Sequence, residues 1–195
     1  IEELNKLNRF DIFQISRESS SNYKPAFYQL VRLRYPGVNK RGLHRQLFEI
    51  VALQKILKSI KPHIIYQRVG CAQTGIAARY AKKNGCKLFW HVSSEFDLSP
   101  IRISFSKWIF ERFLDQMMLN YGINNTTEII VQTYDQKKLL EKRFKRSPIA
   151  VIRNFHPLPK EIIQKEKPIK IVWLSNLKDI KQPEIFIKLS EEFQR

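Results

Sequence analysis

The chain has 195 residues, 43% of them hydrophobic, which is enough to bury a sizeable core and too many for a disordered tail. Its 35 Lys and Arg against 18 Asp and Glu leave a net charge of +17, which favours polyanionic partners: nucleic acid, nucleotide phosphates or anionic lipid. Two cysteines, Cys71 and Cys86, are too few for a disulfide-built secreted fold and wrongly spaced for a zinc site, and no apolar run reaches the length of a membrane span.

With no charged-then-apolar leader at the start, the expectation is a cytoplasmic, reducing compartment and a soluble or peripheral chain. It opens at Ile1 in a polar, helical-looking stretch and stops at Arg195 inside an amphipathic run, the pattern expected of a segment cut from a longer protein. Residues 10–38 are the least legible: 11–15 have the composition of a strand and 19–22 that of a loop. Over 44–61, Leu47, Ile50, Val51, Leu53, Leu57 and Ile60 recur at helical spacing, and Pro62 stops the run because it disfavours helix at Lys61. Residues 63–67 are β-prone. Residues 74–83 are Ala-rich and predict a helix, with Gly70 and Gly75 around it and Asn84-Gly85 as its C-cap, before a buried strand at 87–92. Strand, helix and strand within about thirty residues is the spacing of a right-handed βαβ unit.

Residues 99–121 predict a helix with Ile103, Phe105, Trp108, Ile109, Phe113, Met117 and Tyr121 loosely on one face. A third strand at 128–132, a charged helix at 134–144 and a fourth strand at 149–152 continue the alternation. The expected architecture is therefore α/β, with a doubly wound, Rossmann-like parallel sheet over 1–157. Residues 158–168 have the composition of a linker. Residues 169–174 then predict a strand, 175–181 a loop, and Pro183 the first turn of a helix through Ile185, Phe186, Leu189 and Phe193, which together begin a second α/β domain over 169–195.

Open α/β sheets bind ligands at the carboxyl ends of their strands, which directs attention to the loops after each predicted strand. These hold Gln67, Arg68 and Gly70; Ser93, Ser94, Glu95 and Asp97; Gln132 and Thr133; and Arg153, Asn154 and His156. His91 is a candidate base because imidazole titrates near neutral pH; a strand-end core histidine satisfied by backbone is the equal alternative. Glu95 and Asp97 are candidates for acid–base work or for holding sugar hydroxyls, while Asp97-Leu98-Ser99-Pro100 also fits ordinary turn and helix-entry chemistry. Lys178 and Lys181, between a strand and a helix N-terminus, suit a diphosphate. The absence of G-x-x-x-x-G-K, G-x-G-x-x-G, G-x-S-x-G and H-E-x-x-H removes motif support for ordinary nucleotide triphosphatase, dehydrogenase and hydrolase readings.

Three stretches in order resemble the nucleotide-sugar glycosyltransferases of GT-B fold, in the family often called group 1 or family 4. The first is Ile129-Ile130-Val131-Gln132-Thr133 with Gln136, Leu139 and Leu140, followed by Val151-Ile152-Arg153-Asn154. The second is Ile171-Val172-Trp173-Leu174-Ser175-Asn176-Leu177 with Lys181, Pro183 and Glu184. The third is Tyr66-Gln67-Arg68 and the Ala-rich helix leading to Trp90-His91-Val92-Ser93-Ser94-Glu95-Phe96-Asp97. Together they cover residues 44–195.

The resemblance implies two Rossmann-like domains facing across a cleft. The first would bind a glycan or lipid-linked acceptor and the second a nucleotide-diphosphate sugar, with retaining transfer, no metal and no further cofactor, in polysaccharide or glycan biosynthesis. It implies donor-phosphate contacts from Lys181, Asn176 and Ser175, where many members carry an Arg that this chain lacks. Acceptor or cleft contacts would come from Arg68, Ser93 and Asn154, and catalytic candidates are His91, Glu95 and Asp97. The family's glycine-rich first loop and its paired glutamates are not found; they would precede Ile1 and follow Arg195, so the segment alone is expected to be inactive.

Two other readings follow from the charge. A non-catalytic nucleic-acid-binding module would use the +17 balance, but the basic residues of 137–146 are spread along a helix and not interleaved with aromatics, which argues against nucleic acid. Peripheral contact with an anionic membrane would use the aromatic and basic residues of 105–113, set against an interior helix as the other reading of the same stretch.

Overall fold

A computed structural model describes residues 9–16, 24–33, 43–99, 109–154, 167, 171–175 and 181–193, and for 43–47 and 109–112 the backbone only. The chain divides into two compact units, Ile1–Asn154 and Phe155–Arg195. In the first, β1 (Phe13–Ser16) and β2 (Gln29–Arg32) pair in parallel, Phe13 opposite Gln29 and Ser16 opposite Arg32. Helix α1 (Leu43–Ile60) follows and stops where Lys61, ahead of Pro62, turns to a φ of 50°. The alternation then runs β3 (Ile64–Arg68), α2 (Ala72–Asn84), β4 (Lys87–His91), a short 3-10 turn (Glu95–Leu98), α3 (Ile109–Asn125), β5 (Glu128–Val131), α4 (Tyr134–Phe144) and β6 (Ala150–Val151). Strands β3, β4, β5 and β6 form one sheet in chain order, every neighbouring pair parallel.

Local chemistry explains the boundaries. Gly85 closes α2 at φ 69°, the left-handed conformation that a residue without Cβ adopts freely. Thr133 opens α4 by accepting the Gln136 N–H at 3.1 Å, and Lys142 and Arg143 sit at the negative end of that helix dipole. Arg146 closes α3 from outside, donating to the carbonyls of Ile123 at 2.6 Å and Thr126 at 2.8 Å, while Arg143 donates to the Leu98 carbonyl. Part of the basic run at 137–146 is therefore bound to the chain's own carbonyls, and burial lowers the pKa of both guanidiniums from its ordinary value.

Successive strands of the β3–β6 sheet are added in one direction. A right-handed crossover between neighbours then puts each connecting helix on the same face. Leu88, Trp90 and Val92, alternate residues of β4 and its exit, are fully buried on that face. Ala77, Ala78 and Ala81 of α2 pack with Leu88, and Ile123 and Leu140 pack with Trp90, Val92, Ile129 and Val131. Tyr66, Phe89, His91 and Ile130 alternate onto the other face. The α/β architecture with parallel strands is as expected and compatible with a Rossmann-like fold. The second layer of helices that double winding requires is not seen against this sheet among the described residues of the unit.

Helices α2 and α3 approach until their backbones meet. A Cβ added at Gly75 would lie 2.3 Å from the Met118 carbonyl oxygen, and one at Gly122 would lie 2.6 Å from the Thr74 carbonyl carbon. Gly75 is thus an interior residue of α2, placed for packing and not as a boundary.

Three further expectations change. The helix foreseen over 99–121 runs to Asn125, and Ser99 lies outside it in extended conformation; residues 100–108, with Ile103, Phe105 and Trp108, lie outside the described residues. The foreseen apolar face is its outer one: Phe113 is 58% and Met117 52% exposed, because the glycine contact turns Gly122 and Ile123 inward. Strand β2 arises in the stretch that could not be read.

In the second unit, Ile171–Ser175 is not a strand and Leu174 is 95% exposed. Trp173 instead stacks on Phe186 with ring centroids 6.0 Å apart. Phe186 belongs to α5 (Pro183–Glu192), which has Pro183 in its first turn and no buried residue. The foreseen linker, 158–168, lies outside the described residues apart from Lys167. No described helix is long and apolar enough to cross a membrane.

Candidate functional site

The C-terminal edge of the β3–β6 sheet is where the polar side chains gather. Parallel register sets Arg68, the last residue of β3, opposite His91, the last of β4, and His91 opposite Ile130 in β5. Arg68 Nη2 donates to Asn154 Oδ1 at 2.6 Å, and Asn154 Nδ2 donates to Gln132 Oε1 at 2.8 Å. Gln132 Nε2 donates to the Val92 carbonyl at 2.8 Å, and the Gln132 N–H donates to Gln136 Oε1, also at 2.8 Å. This chain of amides ties together the exits of all four strands. Gln132 is buried, so its amide group is fixed by partners on both sides.

His91 lies on the face away from the helices and is only 8% exposed. Its Nδ1 and the Tyr66 hydroxyl are 2.6 Å apart, the rings meeting edge-on at 70°. Burial, and secondarily the Arg68 charge, lower the His91 pKa below its ordinary 6.5, while the nearby Ile152 backbone works the other way. Burial raises the Tyr66 phenol, with Arg68 opposing. A neutral imidazole that accepts the phenol proton at Nδ1 carries its own proton on Nε2. That Nε2 is buried and meets no partner in hydrogen-bonding geometry, Ile152 included.

Asp97 is buried in the 3-10 turn, and its Oδ2 accepts from the Ser93 N–H at 2.9 Å, the Ser93 hydroxyl at 2.9 Å and the Ser94 N–H at 3.3 Å. Those three bonds hold the loop after β4 in shape, and this is the turn chemistry that its spacing also suggested. Glu95, in the same turn, is exposed. Gly70 lets the loop after β3 pass close by; a Cβ there would lie 3.1 Å from that of Asp97. Before it, Val69 holds a φ of 75°, a strained conformation for a β-branched residue. Trp90 Nε1 donates to the Val69 carbonyl at 3.3 Å and helps to keep it there.

The structure therefore brings together two groups of the expected residues, Arg68 with Asn154 and Ser93 with Asp97, and places His91 at the same sheet edge. Tyr66 and Gln132 join them without having been singled out as site residues. The signal for Tyr66 was its place two residues before Arg68, which puts both on one face of β3. Ser175 is half-buried and Lys181 exposed in the second unit, and Asn176, Lys178 and His156 lie outside the described residues. No group of three or more His, Cys, Asp and Glu able to hold a metal ion occurs among the described residues.

Chemically, the edge offers an exposed guanidinium, a buried imidazole with a free Nε2 and a fixed carboxamide pair. Such a set binds hydroxyls and anions and supplies a group able to move a proton. No model of a known protein family matches the chain, and no curated protein matches it.

Proposed function

We propose that this chain is the acceptor-side unit and the start of the donor-side unit of a GT-B glycosyltransferase. The protein would move a sugar from a nucleotide-diphosphate sugar to a glycan or lipid-linked acceptor, with retention of anomeric configuration and without a metal. The observation that supports it is the convergence of Arg68, His91, Gln132 and Asn154 at the C-terminal edge of a parallel α/β sheet, the edge at which such sheets bind ligands. These residues fall within the stretches that resemble the family.

In this reading the acceptor lies on Arg68 and Asn154, with the His91 ring beside them at the same strand end. Lys181, with Ser175 and Asn176, stabilises the charge that grows on the departing diphosphate. Asp97 acts by shaping the loop, and exposed Glu95 remains the carboxylate open to substrate. Peripheral attachment to an anionic membrane would use the aromatic and basic residues of 105–113, of which Phe113 is exposed on α3 along with Met117 and Tyr121.

Transfer of radiolabelled sugar from a panel of nucleotide-sugars by the full-length protein tests the assignment. Lys181→Ala is expected to lower the rate about a hundredfold, the size of one lost electrostatic contact to a transition state. Full activity of that variant removes the donor-phosphate role, and no transfer from any nucleotide-sugar removes the function. Sedimentation with liposomes tests the attachment: binding that ignores anionic lipid removes it.

A further inference from the structure

We infer that Arg68 seats a phosphate group, so that the ligand held at the C-terminal edge of the β3–β6 sheet is a phosphate ester. The inference rests on reading this edge as the acceptor side. It concerns binding alone, and stands or falls separately from sugar transfer.

The first observation is a charge without a counter-charge. Arg68 is exposed at the end of β3 and has no carboxylate partner among the described residues; its one hydrogen bond goes to the neutral Asn154. Here an amide orients the guanidinium without cancelling its charge, and that amide is itself locked through Gln132 onto the Val92 carbonyl. One of five N–H donors is used, which leaves the fork open for a two-point contact with an oxyanion.

The second observation is independent of the first. His91 Nε2 is buried and makes no hydrogen bond of normal geometry, a state that Gln67 Oε1 shares among the described residues, although a polar atom in that position ordinarily has a partner. Tyr66 holds the Nδ1 side of the ring, so Nε2 points away from β3, the direction in which the Arg68 side chain travels to reach Asn154. One ligand group that accepts from both must offer oxygens to a planar fork and, separately, to a third donor. A carboxylate can meet all three donors only by sharing one oxygen between two of them, whereas a phosphate monoester has a terminal oxygen for each, in tetrahedral array. The strained Val69, next to Arg68 in sequence, is consistent with a turn shaped for the placement of that side chain.

Calorimetric titration of the 195-residue chain with glycerol 3-phosphate tests this. Saturable one-site binding is expected, weakened at least about tenfold by Arg68→Gln and in part retained by Arg68→Lys, as for loss of a charge-assisted contact. Lys138→Gln removes an exposed charge from α4 and should bind like the parent. Equal weakening by Arg68→Gln and Lys138→Gln would show diffuse attraction to a basic chain and overturn the site. Binding by Arg68→Gln as tight as the parent's, with its thermal midpoint unchanged, overturns it as well, and so does lactate binding as tight as glycerol 3-phosphate. Vesicles with and without phosphatidic acid separate the sources. Arg68-dependent binding to the former identifies a lipid phosphate, and Arg68-dependent binding to the soluble ester alone identifies a water-soluble one; both outcomes uphold the phosphate seat.

Discussion

The two faces of the β3–β6 sheet are built on opposite terms. On the helix side, Leu88, Trp90 and Val92 of β4 meet α2, α3 and α4 in an apolar core, and Gly75 and Gly122 let two helix backbones touch. On the other side the same strand presents Phe89 and His91 beside Tyr66 and Arg68. There, exposed Tyr66, Arg68 and Asn154 are hydrogen-bonded to each other or to buried His91 and Gln132, and one buried atom, His91 Nε2, is left open. A residue on the first face is chosen for volume, and one on the second for what it donates or accepts. Substitutions on the first face should therefore act on stability alone, and those on the second on ligand and proton binding as well.

The sharpest way to break that division is Gly122→Ala. A Cβ would lie 2.7 Å from the Gly75 nitrogen and closer still to the Thr74 backbone, and neither is a flexible side-chain end that can move aside. Overpacking at such a site should cost at least about 2 kcal/mol, seen as a lower denaturation midpoint with an unchanged slope. If Gly122→Ala melts like the parent, the helices do not meet as described.

Next is Gln132→Leu, which removes the partner of Asn154 and of the Val92 carbonyl while keeping the volume. It should cost about 1–3 kcal/mol for the buried groups left unsatisfied, and it should also free Arg68. Val69→Gly has the opposite sign. Relief of the positive φ at 75° should outweigh the extra chain entropy of glycine and stabilise by about 1 kcal/mol, read by thermal melting. A loss of stability in that variant would mean that Val69 is held without strain.

How much of this could be read beforehand follows the same division. Helices α1, α2 and α4 and strands β3, β4 and β5 were legible because periodic apolar residues and punctuation such as Lys61-Pro62 and Asn84-Gly85 are local signals. The outward turn of Phe113, Met117 and Tyr121 was not. The face that α3 buries is decided by one small residue, Gly122, meeting another helix, and hydrophobicity alone favours the aromatics. Strand β2 was missed because Gln29-Leu30-Val31-Arg32 has a polar residue at each end, and its pairing with β1 is a tertiary contact. For the site, strand-end position pointed to Arg68, His91, Ser93 and Asn154. It could not show that Asp97 turns inward onto the Ser93 and Ser94 amides, nor that Gln132 ties the exits together, since those bonds depend on loop geometry.

The finest test of the comparison is the proton on His91. Its pKa lies below the ordinary 6.5 first because of burial and then because of the Arg68 charge. Below about pH 6.5 the unfolded chain takes up a proton at this residue that the folded chain still refuses, so the group's contribution to stability is fully present above that value. It is lost as pH falls from 6.5 through the folded pKa, below which the loss levels off. Arg68→Gln removes the like charge and leaves the burial. The folded pKa should therefore rise toward 6.5 without passing it, and the acid-side loss of stability should shrink. The His91 ring resonances followed by NMR across pH report the first effect, and thermal midpoints at about pH 7 and pH 5 report the second. The change in midpoint at neutral pH should be small, because Arg68 is exposed and packs into none of the three core clusters. If Arg68→Gln left the His91 titration where it was, the guanidinium would not share the pocket of the imidazole. The polar face would then be two unrelated halves, Arg68 with Asn154 and Tyr66 with His91, and not one site.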